Sequence, residues 1–308
     1  CGDRVSRLLC GGNLYVTNSG ALSVFAGLTN GVDPYGALVE VAGDMTVANK
    51  GWVYPYCHTN AGAAVKFRME NLWIRRAVSG VTTQGFNACG KGFSYMRGLG
   101  AASPASEYGA GGGFGGKGGD GSDRGTLALG GTAYGFVHAP QWPGSGGSGG
   151  ADFRRGGHGG GMIWIEADEY IQCDGELNAN GAQGQMWHSG GGSGGSIFMR
   201  CRKFAGDGYA GLLASGAKSG SATYAGGGGG GRIAVWHGKM MPVEEELKLL
   251  RGDPPGHTFQ TTQALTTFEG VCFVDAGTGY NTSKGTPAEP GTVVFLKYQP
   301  AATVLMLR

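Results

Sequence analysis

The sequence predicts an all-β chain wound as a right-handed parallel β-helix, or β-solenoid, and three observations carry that expectation. First, an apolar strand behind a glycine run occurs three times, as GGGMIWIE, GGSIFMRC and GGRIAVWH. Second, Ile163, Ile197 and Ile233 recur at intervals of 34 and 36 residues, a spacing of stacked supersecondary units. Third, the strand residues alternate, with Ile163 and Ile165 on one side and Trp164 and Glu166 on the other, which excludes helical repeats of similar length.

Composition narrows the classes further. Glycine makes up 66 of 308 residues, against roughly 7% in ordinary proteins. No Gly-x-y period is present, so collagen is excluded, and Val, Ile, Leu and Phe strands bound the glycine runs, which argues against disorder. The 24 basic and 22 acidic residues nearly balance, giving no footprint for nucleic acid. No run of 18 apolar residues exists, so no transmembrane segment is expected. The Cys-Gly start has the look of a processed bacterial lipoprotein with a lipidated Cys1, although a trimmed chain explains it as well. Seven cysteines are too scattered for a disulfide framework. Cys173 and Cys201 read as buried small hydrophobes, and pairing of Cys57 with Cys89 stays open.

Taken in order, one elongated domain over 1–308 is expected, in three parts. Residues 1–60 hold the first coils: Leu14, Val16, Leu22 and Val24 alternate about an Asn-Ser-Gly turn, and Leu38, Val39, Val41, Met45, Val47 and Val53 repeat the theme. Residues 61–240 form the glycine-rich core. There Val65 and Phe67 correspond to Ile163 and Ile165, Leu72 and Ile74 to Ile171 and Cys173, and Val81 to Leu177. The long loop 86–158 is mostly glycine, and parallel and antiparallel polyglycine-type segments are expected to pack there, spaced by Phe114, Tyr134, Phe136 and Trp142. Residues 241–308 begin with a short helix over 242–251, with Pro at its first position, a Glu244–Lys248 pair and Gly252 beyond. Strands over 271–274 and 291–296 and an apolar tail follow.

The segments GGHGGGMIWIEA, GGGSGGSIFMRCRKFAGDG and GGGGGGRIAVW resemble glycine-rich repeats of extracellular and surface proteins of Verrucomicrobia-type bacteria, and more distantly adhesin passenger β-helices. The resemblance spans nearly all of residues 10–298. It implies secretion to the cell surface or beyond it and a repetitive structural role, and it carries over no catalytic residue.

Functional constellations are sparse. GxGxxG-like strings arise from composition, and none opens a helix after a strand. The histidines are dispersed, without zinc spacing. The segments GDG at 206–208 and DAGTG at 275–279 carry oxygens of the kind calcium takes, yet turn roles explain them more simply. No other cofactor is expected. The outward residues of successive strands, Arg68, Glu166, Arg200 and Trp236, form a ladder of alternating charge. A polysaccharide lyase or hydrolase would need paired carboxylates there, which are missing. The reading favoured by the sequence is therefore not an enzyme but a self-assembling subunit of an extracellular fibre, sheath or surface layer. Its assembly residues would be Leu8, Leu14 and Val16 at one end and Val304, Leu305, Met306 and Leu307 at the other. The alternative is an adhesin that holds a glycan or host surface through Trp52, Trp142 and Trp187.

Overall fold

A computed structural model of the chain describes residues 5–77, 84–105, 107–123, 126–150, 155–185, 187–220, 224–256, 258–262, 264–279 and 285–299. Short strands come in groups of two or three separated by turns. The first groups are β1 (Ser6–Cys10), β2 (Leu14–Val16) and β3 (Ala21–Phe25), then β4 (Ala37–Val41), β5 (Met45–Val47) and β6 (Trp52–Tyr56), then β7 (Val65–Ile74) and β8 (Gly85–Asn87). A small antiparallel pair, β9 (Gly121–Asp123) and β10 (Thr126–Ala128), lies inside the glycine-rich stretch. Next come β11 (Met162–Cys173) and β12 (Glu176–Asn178), β13 (Ser196–Arg200), β14 (Lys203–Ala205) and β15 (Gly211–Leu213), and β16 (Arg232–Gly238). Helix α1 (Val243–Leu250), β17 (Phe259–Thr262), β18 (Val271–Phe273) and β19 (Thr292–Tyr298) complete the order.

Two large sheets result. An 11-stranded sheet runs β1-β4-β7-β11-β13-β16-β19-β17, with β2, β5 and β14 paired beside that path, and a six-stranded sheet runs β3-β6-β8-β12-β15-β18. Among the described residues the regular elements are thus strands apart from one short helix, but the fold is not the right-handed parallel β-helix that the repeat predicts. The larger sheet is mixed, since β17 pairs antiparallel with β19, and β9 and β10 form an antiparallel sheet of their own. Two physical causes separate the outcome from the expectation. After Gly238, whose φ is +100°, the chain leaves for α1 and returns reversed as β17. The glycine runs, for their part, bring no side chains with which to line a strand face, and they leave the sheets altogether.

Alternation still decides which side chains meet. Ile163 lies opposite Ile197, Ile197 opposite Ile233, and Ile233 opposite Val293. The facing sheet stacks Leu22, Val53, Phe86, Leu177, Leu212 and Cys272 in one ladder. Both sets close into one apolar core. Sequence reasoning puts Trp164 and Trp236 on an outward face, yet both are buried in a second core on the far side of the larger sheet. Leu249 and Leu250 of α1, Met241 and Ala139 cover them, and the Trp236 indole N–H donates to the His138 carbonyl at 2.6 Å. In α1, Pro242 is the N-cap and not the first helical residue, and Lys248 pairs with Glu245 (2.9 Å) one turn position nearer than Glu244.

The glycine segments form a separate bundle in which every third residue addresses the same neighbour. Along 190–195, Gly190 and Ser193 donate to the carbonyls of Ser148 and Ser145, Gly191 and Gly194 to Gly226 and Gly229, and Gly192 and Gly195 to Ala182 and Ala179. Gly157, Gly112 and Ala217 in turn donate to the carbonyls of Gly190, Gly191 and Gly192. A period of three is that of an extended helix with three residues per turn and no internal hydrogen bonds, so each backbone group must find a partner in another segment. Partner numbers fall along some neighbours and rise along others, so parallel and antiparallel neighbours mix. Glycine is required by proximity: a Cβ on Gly192 would overlap the His158 carbonyl, and one on Gly194 that of Ala214. Phe114, fully buried, packs on Tyr134 at 4.8 Å as a spacer, whereas Phe136 and Trp142 are part-exposed.

Candidate functional site

The charged ladder on β4, β7, β11 and β13 follows directly from parallel register, which sets Glu40 beside Arg68, Arg68 beside Glu166, and Glu166 beside Arg200. Arg68 bridges the carboxylates of Glu40 (3.6 Å) and Glu166 (3.7 Å). Arg200 turns to Glu246 of α1 at 2.6 Å and so clamps the helix onto the sheet. Glu166 makes its shortest contact with Lys66 at 2.7 Å, a partner that sequence reasoning missed. Lys66 occupies an aromatic position of the second core, its ammonium 4.9 Å from the Trp164 ring and 5.6 Å from that of Tyr35. Burial holds its pKa below the ordinary lysine value, and Glu166 opposes that shift. The register partner of Lys66 is Trp164, and Glu166 is only a diagonal neighbour, so strand pairing alone did not point to this contact.

Chemically, this is an ion-pair network. A guanidinium stands between the two carboxylates, so no water or glycosidic oxygen could sit between them as acid-base hydrolysis requires. Cysteine nucleophiles fare no better: burial pushes the Cys57 and Cys173 thiols up to about 12. Cys57, Cys89, Cys173 and Cys201 are free thiols, and Cys1 lies outside the described residues. No group of three or more metal-ligating side chains converges among the described residues.

The ends of the sheets are the remaining candidate. At the β1 end Leu8 and Leu9 are exposed, 44% and 65%, together with Phe25 and Leu28 nearby. Of the assembly residues the sequence suggests, Leu14 is half-buried, while Val16 is buried in the chain's own core and unavailable to a partner. Val304, Leu305, Met306 and Leu307 lie outside the described residues, as do Val81 and the tail 300–308. The residues missed are on the six-stranded sheet. β3 and β18 are its two edges, parallel to each other through the intervening strands, and Phe25 on one and Val271 and Phe273 on the other are exposed. Leu22 and Cys272, the last members of the core ladder at each end, are only partly buried.

The three tryptophans proposed for ligand contact do not form one platform. Trp52 packs by Tyr54, Trp142 gives its carbonyl to the Ser196 hydroxyl, and Trp187 is 68% exposed beside His188, whose ring contacts Tyr108. No helix among the described residues is long and apolar enough to cross a membrane. No family model matches this chain, and no curated protein and no solved structure matches it.

Proposed function

We propose that this chain is a structural subunit that joins end to end with copies of itself. The observation that carries the reading is the six-stranded sheet, parallel throughout and bounded by two apolar edges, β3 and β18, that face opposite ways. Unpaired strand edges are templates for another chain. Adding β3 of one copy to β18 of the next is a head-to-tail contact that propagates without closing. Continued register sets Leu22 of the second copy beside Cys272 of the first, so the core ladder runs through the junction. On the larger sheet β1 then meets β17 in antiparallel sense. The resemblance of the glycine segments to bacterial surface proteins suggests a fibre, sheath or layer at the cell surface or outside it.

Sedimentation velocity tests the reading. Species should grow with concentration, and Ser23→Pro should return the chain to monomer. The even residues of β3 bond to β6, as Gly20 and Ala26 show, so the Ser23 N–H points to the open side and proline there spares the fold. A folded wild-type chain that stays monomeric at every concentration contradicts it.

A second reading, adhesion to a glycan or surface, draws on exposed Trp187, whose sequence neighbour His188 is in ring contact with Tyr108, which in turn contacts Tyr224. Trp187→Ala should then abolish binding on a glycan array and leave sedimentation unchanged.

A further inference from the structure

In the groups before β16, a long strand or a strand pair continues past a bend: β7 and β11 run on as single strands, and β13 is followed by β14. β16 does not continue, because the chain departs at Gly238 into α1. The position beyond β14 is therefore taken only partly, by 264–268, where Phe268 stacks on Phe204 at 5.1 Å. What remains is a cleft of about 580 Å³ bounded by β14, the ends of β16 and β19, β17 and the 264–267 turn. Ligand sites commonly measure roughly 300–1,000 Å³.

Its lining is chemically one-sided. Arg202, Lys203, His237 and Lys297 contribute to it, and among the described residues no carboxylate does. Glu169 pairs with Arg202 at 3.1 Å from the rim, with both side chains about half exposed, and leaves the two lysines uncompensated. Register brings these groups together: Lys297 lies across from His237 on one side and Gln260 on the other, and Lys203 across from Tyr170. The His237 Nε2 is buried without a hydrogen-bond partner at the wall of the cleft. Between the cations lie neutral hydrogen-bonding groups, Gln260 and Thr262 among them, and the Tyr170 ring.

We propose that this cleft binds an acidic oligosaccharide, its carboxylates on Lys203 and Lys297 and its hydroxyls on Gln260 and Thr262. Cations set among neutral donors and beside an aromatic ring suit a sugar that carries both charge and hydroxyls. An acidic peptide or a nucleic acid would meet the same cations, but the chain's formal net charge of only +2 gives a nucleic acid no wider basic track. The proposal stands independently of end-to-end joining.

Calorimetry on the full chain with oligogalacturonate as probe tests it. Binding should weaken with salt, be lost for the fully methyl-esterified oligomer, and fall about tenfold or more in K203Q/K297Q, a loss of at least ~1.4 kcal/mol. Both lysines are exposed, so the variant's thermal melt should be unchanged. Lys218→Gln, in the glycine bundle, should bind as wild type. No binding of oligogalacturonate, equal binding of the ester, or full binding by K203Q/K297Q overturns the proposal. So does tighter binding of polyglutamate or of single-stranded DNA, which would reassign the cleft to peptide or nucleic acid.

Discussion

At the scale of single residues, the bundle and the buried ion pair are where small changes matter most. Gly192→Ala puts a methyl group into the His158 carbonyl, and neighbouring segments cannot retreat without breaking their own hydrogen bonds. We expect a loss of about 1–3 kcal/mol in urea unfolding, as for overpacking in general. Gly208→Ala, with nothing within 4 Å of the added carbon, should be near neutral. Glu166→Gln strands the Lys66 ammonium between Trp164 and Tyr35 and should cost about 3–5 kcal/mol, while Lys66→Met, which removes the buried charge, should cost much less. Comparing the denaturation midpoints of these two variants checks the assignment. Burial also lowers the pKa of His138, His158 and His237 from 6.5. The unfolded chain then binds protons first, so stability is complete above pH 6.5 and declines as pH falls below it. A melting profile across that range should show the decline, and His158→Gln should flatten part of it.

Among elements, the sheets were more legible in the sequence than the connections. Ile163, Ile197 and Ile233 stand in one ladder because a two-residue period and a near-constant spacing leave no other register that buries them. Ile163→Ala should accordingly lower stability by about 2–5 kcal/mol, read by chemical denaturation. The same alternation could not tell that Trp164 and Trp236 face a second core, since what covers them, α1 and the His138 turn, lies outside the alternating strands. Lys66 was invisible for the same reason: a lysine in an alternating strand reads as solvated until its neighbours are aromatic. Nor could periodicity foresee β17 reversing onto β19, which follows from the departure at Gly238 and overturns the β-helix expectation. Glycine content announced packed backbone segments, but not which carbonyl each N–H would find.

For the whole molecule, the decisive feature is that the ladder Leu22, Val53, Phe86, Leu177, Leu212 and Cys272 has a half-buried residue at each end. If copies join in register, Leu22 of one and Cys272 of the next become cross-strand neighbours about 4.8 Å apart, within the Cα separation that a disulfide spans. Burial pushes the Cys272 thiol up to about 11, so the coupling needs alkaline pH and an oxidation catalyst. The most direct measurement is therefore a non-reducing gel of Leu22→Cys after oxidation. A ladder of dimer, trimer and higher species that collapses on reduction, and that is missing from wild type and from L22C/C272S, is the predicted result. A folded Leu22→Cys chain that runs only as monomer, or that cross-links equally without Cys272, would contradict end-to-end joining through this sheet.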